Sequence, residues 1–144
     1  MIVISGDQPT TFYDNYGNYI DKFEDYVAGG GFLNFFSCDA GWNGGTLSDP
    51  LPGGIVWTGW VYDNYNVIDD PAHPVVAGVP NPFYGNYASH GHFSNLPSEA
   101  WVIAHEQTGG QPTIVELAIG GGLMIAFGQP LEISYDWGWD AGLI

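Results

Sequence analysis

Residues 21–42 read DKFEDYVAGGGFLNFFSCDAGW, and this stretch decides the fold that we expect. It continues a pattern, running over residues 12–27, in which apolar side chains recur every three or four positions with acidic residues between them. This spacing predicts an amphipathic helix. Glycines 29–31 end the helix, and the apolar run 32–36 predicts a buried strand. The stretch therefore predicts a helix followed by a strand, with Cys38 just beyond the strand's carboxyl end.

The flanking segments extend this unit into a sheet. Residues 2–4 predict a short buried strand before the helix, so that strand, helix and strand form a right-handed parallel unit. Residues 101–105, 113–118 and 123–127 predict three further strands, the last two joined as a hairpin through the glycine-containing residues 119–122. A single helix cannot cover both faces of a parallel sheet. We therefore expect further cover from a segment outside this chain or from a partner.

The remaining segments are rich in Gly, Asn, Asp, Pro and aromatic residues, which predicts loops around a strand at residues 55–60. Aromatic rings exposed beside Asn and Asp suit stacking on sugars, and they suit subunit interfaces equally well. The candidate ligand-binding residues are Trp42, Trp57, Trp60, Tyr62, Tyr65, Trp137 and Trp139.

The charge of the chain excludes several classes of partner. Sixteen acidic residues and one basic residue, Lys22, give a formal net charge of -15. Binding to nucleic acid or to anionic lipid requires clustered Lys and Arg, and the N-terminus has neither a signal peptide nor a membrane-spanning run. We therefore expect no nucleic acid partner and no membrane insertion. A neutral ligand such as a glycan, or copies of the same chain, are the expected partners.

The same composition favours an extracellular or cell-surface location, with any export signal on a longer parent chain. We expect no cofactor, with calcium as the alternative, because Asp63, Asp69 and Asp70 lie in an oxygen-rich run. The run lacks the D-x-[DN]-x-[DN]-G spacing, so a solvated acidic turn is the default interpretation. His90 and His92, two residues apart on one side of a strand, form an alternative transition-metal pair.

Three segments resemble, in order, the class I glutamine amidotransferase-like superfamily, especially its ThuA-like and surface-protein branches. They are DKFEDYVAGGGFLNFFSCDAGW (21–42), HPVVAGVPNPFYGNYASHGHF (73–93) and PTIVELAIGGGLMIAFGQPLE (112–132). The resemblance implies an α/β, flavodoxin-like fold with a mainly parallel sheet, a C-terminal antiparallel hairpin and few helices. It also implies that residues 1–144 form a single amidotransferase-like domain, incomplete at both ends.

The resemblance places Cys38 where catalytic family members carry a nucleophilic cysteine, on a tight G-x-C-x-G elbow. The flanking residues here are Phe36 and Ala40, so the leading glycine is absent. The family's base comes from a phenylalanine-His-Pro-x-Glu sequence, where this chain has Gln129 in the histidine position and Glu132 at the end. Because a glutamine amide cannot accept a thiol proton, we expect the triad to be broken and glutamine hydrolysis to be lost.

Three functions are consistent with these residues. The expected one is a non-catalytic binding or assembly module of an exported or cell-surface protein. The alternative is a Cys-dependent hydrolase in which Cys38 uses His90 or His92, with Glu132 as a further catalytic candidate. The third is a structural protein whose exposed sheet edges pair between copies into oligomers or filaments. A histidine ring within about 4 Å of the Cys38 sulfur would favour the enzyme.

Overall fold

Seven strands and two α-helices make up the computed structural model, which describes residues 1–39 and 41–130. The strands are β1 (Ile2–Ile4), β2 (Phe32–Phe36), β3 (Val56–Ile68), β4 (Phe83–Ser94), β5 (Trp101–Glu106), β6 (Pro112–Ile119) and β7 (Gly122–Phe127). The helices are α1 (Thr10–Gly17) and α2 (Ile20–Ala28), with short 3-10 helices at Pro52–Gly54 and Pro74–Val76. The strands form one sheet in the order β1-β2-β7-β6-β5-β3-β4.

The pairing of the strands contradicts the mainly parallel, flavodoxin-like expectation. β1 pairs with β2, and β2 with β7, in parallel, whereas the other four pairings are antiparallel. A parallel pair needs a long crossover, usually a helix, and the part of the chain described after residue 28 contains no α-helix. The parallel unit of β1 and β2 and the antiparallel hairpin of β6 and β7 are confirmed. The sheet is therefore mixed and mostly antiparallel.

The helix expected over residues 12–27 is two helices. The amide of Asn18 donates to the Asn15 carbonyl at 3.1 Å, and that of Tyr19 donates to the Tyr16 carbonyl at 2.9 Å. These three-residue bonds tighten the last turn of α1 and separate it from α2, which begins at Ile20. Glycines 29–31 follow α2 as predicted.

Side chains along each strand point alternately to the two faces of the sheet, and a cluster of buried apolar residues lies on each face. Leu33 and Phe35 of β2 face one core cluster together with helix residues such as Val27. Phe32 and Phe36, one position out of step, are half-buried against the other cluster. Side chains of the β3-β4 connection cover part of this second face, where no described α-helix packs.

Residues 61–65 and 82–93, expected to be loops, lie largely in the paired strands β3 and β4. The register shifts between Gly59 and Asp63 and again between Asp63 and Tyr65. Gly, Asn and Asp are depleted in strands, and irregular register breaks simple alternation. This composition and the irregular register explain why the sequence does not predict the pairing of β3 with β4.

Candidate functional site

The parallel strands β1, β2 and β7 all end at the edge of the sheet where Cys38 lies. The amide of Asp7, after β1, donates to the Cys38 carbonyl at 2.7 Å. The amide of Ser37 donates to the Phe127 carbonyl, the last of β7, at 2.8 Å. The backbone segments that follow the three strands are thus tied together. Ligand sites in α/β sheets occur at this carboxyl edge.

At this edge the Cys38 sulfur lies 3.0 Å from Nδ1 of His90. His90 belongs to β4, and its amide donates to the Gly128 carbonyl at 3.2 Å. This backbone bond holds β4 beside the residue that follows β7. Cys38 itself is buried, with 1% of its surface exposed. A thiol and an imidazole from distant parts of the chain therefore meet in a largely buried setting.

Burial lowers the pKa of His90, and the nearby Asp39 carboxylate opposes this effect in part. The ring is therefore neutral near pH 7 and able to accept a proton from the thiol. Asp39 is itself buried and accepts the Leu47 amide at 2.6 Å, which fixes the carboxylate. Asp39 was not among the site residues predicted from the sequence, although it directly follows Cys38.

Trp60 lies against His90, with the two rings stacked at a centroid distance of 6.2 Å and an angle of 26°. The tryptophan is 55% exposed, and its backbone φ of 70° is one that few residues other than glycine adopt. Such strained positions concentrate at functional sites. Trp60 therefore forms a half-exposed border to the Cys38–His90 pair.

Cys38 does not occupy a left-handed elbow. Among the described residues, the non-glycine positions with positive φ are Asp7, Trp60 and Asn95. The resemblance implied a tight, strained turn at the nucleophile. The flanking residue Ala40 lies outside the described residues.

Gln129, the residue in the place of the family's base, is fully buried away from solvent. Its Nε2 donates to Asn66 Oδ1 at 3.4 Å, and the Thr113 hydroxyl donates to the same oxygen at 2.6 Å. The amide thus belongs to a buried polar cluster within the sheet. Glu132, the last candidate of the catalytic set, lies outside the described residues.

His92, the second histidine considered as a partner for Cys38, contacts a different residue. Its Nε2 lies 3.1 Å from Nε2 of Gln111. Burial lowers the pKa of His92, while the Glu106 carboxylate opposes the shift. Between the two histidines considered, His90 is the one that the fold brings to the sulfur.

The carboxylates of the three candidate calcium ligands each form hydrogen bonds to different residues. The partners are the amides of Tyr65 and Thr108 for Asp63, the His105 ring for Asp69 and the Ala72 amide for Asp70. No group of three or more His, Cys, Asp or Glu side chains suited to a metal ion occurs within residues 1–39 and 41–130. The geometry therefore gives the calcium hypothesis no support.

The aromatic candidates divide by exposure. Trp57 is only 6% exposed and packs on Phe93, so it belongs to the core and we no longer consider it a ligand-binding residue. Trp42 and Trp60 are more than half exposed, and Tyr65 is also exposed. The side chain of Tyr62 and the whole of Trp137 and Trp139 lie outside the described part of the chain.

Sequence comparison gives one informative relative. No protein-family model matches the chain. The chain is 30% identical over 126 residues to an uncharacterized protein of Clostridium acetobutylicum. The match covers 87% of this chain but only 13% of that protein. The chain thus spans about an eighth of the curated relative.

Structural comparison is more specific about the fold. A ThuA-like protein from Bacteroides uniformis superposes with a TM-score of 0.58 and 17% identity, covering 90% of this chain. The fold is ThuA-like. A cytoplasmic protein from Salmonella typhimurium superposes with a TM-score of 0.55 and 20% identity over 89% of this chain. The chain spans 59% of the length of each of these two structures. The amidotransferase-like expectation is confirmed at the level of the fold.

The expected extracellular or cell-surface location is corrected by the same comparison. Two of the solved structures with this fold, both from Salmonella typhimurium, are of proteins described as cytoplasmic. The two Salmonella typhimurium proteins and the Bacteroides uniformis protein do not single out the surface-protein branch. In the part of the chain that the structure describes, no helix has the length and apolarity needed to cross a membrane.

Proposed function

We propose that this ThuA-like domain is a thiol-dependent hydrolase of an uncharged acyl substrate, with Cys38 as nucleophile and His90 as base. The observation that carries the proposal is the 3.0 Å contact between the Cys38 sulfur and His90 Nδ1. This histidine comes from β4 and not from position 129. The thiol therefore has a base beside it even though Gln129 replaces the histidine of the family. The proposed reaction is therefore independent of the amidotransferase triad.

The chemistry requires the imidazole to carry one proton between two steps. His90 Nδ1 takes the thiol proton while the sulfur attacks the acyl carbon, and the imidazolium then gives that proton to the leaving group. Water, deprotonated by His90, attacks the thioester, which releases the acid and returns the proton to the sulfur. The Asp39 carboxylate stabilises the imidazolium between these steps.

The charge of the chain supports an uncharged substrate. Lys22 is the one basic side chain in the sequence, and it lines a cavity beside α1 with Phe12 and Tyr16, not the Cys38 edge. An anionic group would meet Asp39 without a cation to offset the repulsion. Trp60 covers the His90 ring, so a substrate with a flat or apolar portion has a surface on which to stack.

The thiolate absorbance near 240 nm, followed against pH, tests the Cys38–His90 pair without any need for a reagent to reach the buried sulfur. His90→Gln removes the base, and His92→Gln is the matched control because its ring contacts Gln111 instead. We expect the midpoint of thiolate formation to shift in His90→Gln, because the ring in contact with the sulfur is lost, and to stay unchanged in His92→Gln. Equal midpoints in all three proteins would exclude a functional pair.

Turnover of an uncharged ester such as p-nitrophenyl acetate then tests the hydrolase itself. Cys38→Ser should abolish the initial burst of product, and His90→Gln should slow it by about 100-fold or more, the usual contribution of a general base. A burst that survives Cys38→Ser would show that the thiol is not the nucleophile. No burst in the wild-type protein, together with a normal thiolate titration, would restrict Cys38 and His90 to a structural pair.

A second candidate function is binding of a neutral glycan, and it is favoured by the exposed aromatic rings. Tyr65 and Tyr84, both more than 40% exposed, lie with ring centroids 4.8 Å apart. Two adjacent exposed rings form a platform that suits the apolar face of a sugar. A glycan array with wild type and Tyr84→Ala tests this function, and light scattering tests the alternative of self-association. A strictly monomeric protein without glycan binding would refute both.

The extent of the domain also remains a proposal. We propose that residues 1–144 belong to one ThuA-like domain, because all seven described strands lie in a single sheet. Limited proteolysis should leave the seven strands of the sheet within one protected fragment. Early cleavage within the sheet would contradict a single domain.

A further inference from the structure

A second cavity lies at the amino-terminal ends of β2 and β7, at the opposite end of these strands from Cys38. Its volume is about 550 Å³, within the range of small-molecule sites. Phe32 and Leu123, the half-buried residues near the starts of the two strands, form an apolar floor with Ile125. The cavity thus occupies the sheet face that no described α-helix covers.

One wall of the cavity is a cross-strand pair. Trp101 on β5 stands directly opposite Glu116 on β6 in the antiparallel register, so both side chains project from the same face. Trp101 is 50% exposed and packs edge-to-face with the His73 ring, with the centroids 5.3 Å apart and the ring planes at 87°. An exposed indole and a carboxylate are therefore held side by side.

The hydrogen bonds of His73 show which ring nitrogen carries the proton. Its Nδ1 accepts the Val75 amide at 3.3 Å, so the ring proton lies on Nε2. That Nε2 donates to Glu116 Oε2 at 3.0 Å. A histidine that uses Nδ1 as an acceptor is neutral, so it orients the Glu116 carboxylate without cancelling its charge.

Charge around the cavity has one sign. Asp70 and Glu116 line it, and no Lys or Arg does so. Lys22, the one basic residue of the sequence, lines a different cavity. An anionic ligand would find no cation here, and a neutral apolar ligand would leave the carboxylates without a counterion. The chemistry of the site matches a positive group placed against Trp101, with an apolar body on the floor.

We propose that this cavity binds an organic cation, a small molecule that carries an ammonium group on an apolar body. The ammonium lies over the Trp101 ring, where the ring's negative face attracts it, and near the carboxylates of Glu116 and Asp70. The aliphatic part contacts Phe32 and Leu123. This site is independent of the Cys38–His90 chemistry, so Cys38→Ser leaves it intact.

Choline and its neutral isostere 3,3-dimethylbutan-1-ol form a matched pair of probes, because they differ in charge and hardly in shape. We expect choline to bind with a Kd on the order of 1 mM in NMR titrations that follow the choline methyl signal, and to shift the Trp101 indole signal in proteins that keep this residue. The alcohol should bind about tenfold more weakly or worse, since it lacks the attraction of the cation to the ring and the carboxylates. Added salt should weaken choline binding and leave the alcohol unaffected.

Variants separate this site from other exposed tryptophans. Trp101→Leu and Glu116→Gln should each weaken choline binding about fivefold or more, and the glutamine keeps an oxygen that accepts the His73 proton. Trp42→Leu, which removes another exposed indole, should leave choline binding unchanged. Equal affinities for choline and the alcohol would overturn the proposal, as would no binding at about 50 mM choline or an equal loss in Trp42→Leu.

Discussion

Gly122→Ala tests how α2 packs on the sheet. A Cβ atom at residue 122 would lie 2.1 Å from the Val27 carbonyl oxygen and 2.3 Å from the Gly31 carbonyl oxygen. Carbon and oxygen atoms that are not bonded approach to about 3.3 Å, so the backbone must separate by about 1 Å. Neither neighbour is a flexible side chain that could turn away. The variant must therefore displace the end of α2 from the start of β7.

This displacement endangers two backbone hydrogen bonds at the same place. The amide of Gly121 donates to the Ala28 carbonyl at 2.9 Å, and that of Leu123 donates to the Gly31 carbonyl at 3.0 Å. Overpacking costs about 1–3 kcal/mol, and each weakened bond adds about 0.5–1.5 kcal/mol. We expect Gly122→Ala to lower the free energy of unfolding by about 3 kcal/mol or more, and the Tm by about 10 °C.

Gly121→Ala is the matched control, because a Cβ atom there has its nearest contact at 3.5 Å, an ordinary distance. Urea and thermal unfolding, followed by circular dichroism, should show Gly121→Ala within about 1 kcal/mol of wild type. If Gly122→Ala is as stable as Gly121→Ala, the end of α2 does not lie as close to the start of β7 as these distances indicate.

Three further predictions concern buried polar groups. Burial raises the pKa of Tyr13 to about 12 and raises that of Tyr16 further, so both phenols should stay protonated at about pH 11, where exposed tyrosines ionise. The stability that the two phenols contribute below about pH 10 should be lost as the pH rises towards 12. If absorbance at 295 nm shows all tyrosines ionised at pH 11, the two phenols are not buried. Burial raises the pKa of Asp63, but the hydrogen bonds that its carboxylate accepts outweigh burial and hold the pKa below its usual value. The stability that Asp63 contributes is present above about pH 4 and is lost as the pH falls through the pKa of Asp63 in the folded protein. Asp63→Asn should therefore make the free energy of unfolding less dependent on pH below about pH 4. An unchanged dependence would contradict the lowered pKa of Asp63. Thr113→Val removes the 2.6 Å bond to Asn66 and should cost about 1–3 kcal/mol in urea unfolding, whereas an unchanged midpoint would show the bond to be unimportant.

The glycines around this contact show what a sequence can predict. Glycines 29–31 predicted the end of a helix, and the glycines in residues 119–122 predicted a hairpin turn, and both predictions are confirmed. Each depends on the local conformation of a few residues. The sequence did not reveal that the two glycine runs contact each other, because that contact depends on the pairing of β2 with β7, which are far apart in the chain.

The wrong predictions share a cause of the same kind. The strands at residues 101–105, 113–118 and 123–127 were found because apolar residues dominate them, as the buried centre of the sheet requires. The expectation that β3 would end near Trp60 was wrong because its second half is polar and irregular in register. Pairing with β4 on one side and with β5 near its carboxyl end stabilises that half, and neither pairing is a local property.

The correction of the fold and the support for catalysis have the same origin. A mainly parallel sheet would draw its base from the end of β7, where Gln129 is directed into the buried cluster with Asn66. The antiparallel β4 instead runs past that end, and its backbone bond to Gly128 places His90 beside the segment that should have carried the base. The sequence offered both His90 and His92 as partners for Cys38, and the choice between them depended on this bond between distant segments, which is not a local property. The element that makes the sheet mostly antiparallel is therefore also the one that supplies the imidazole.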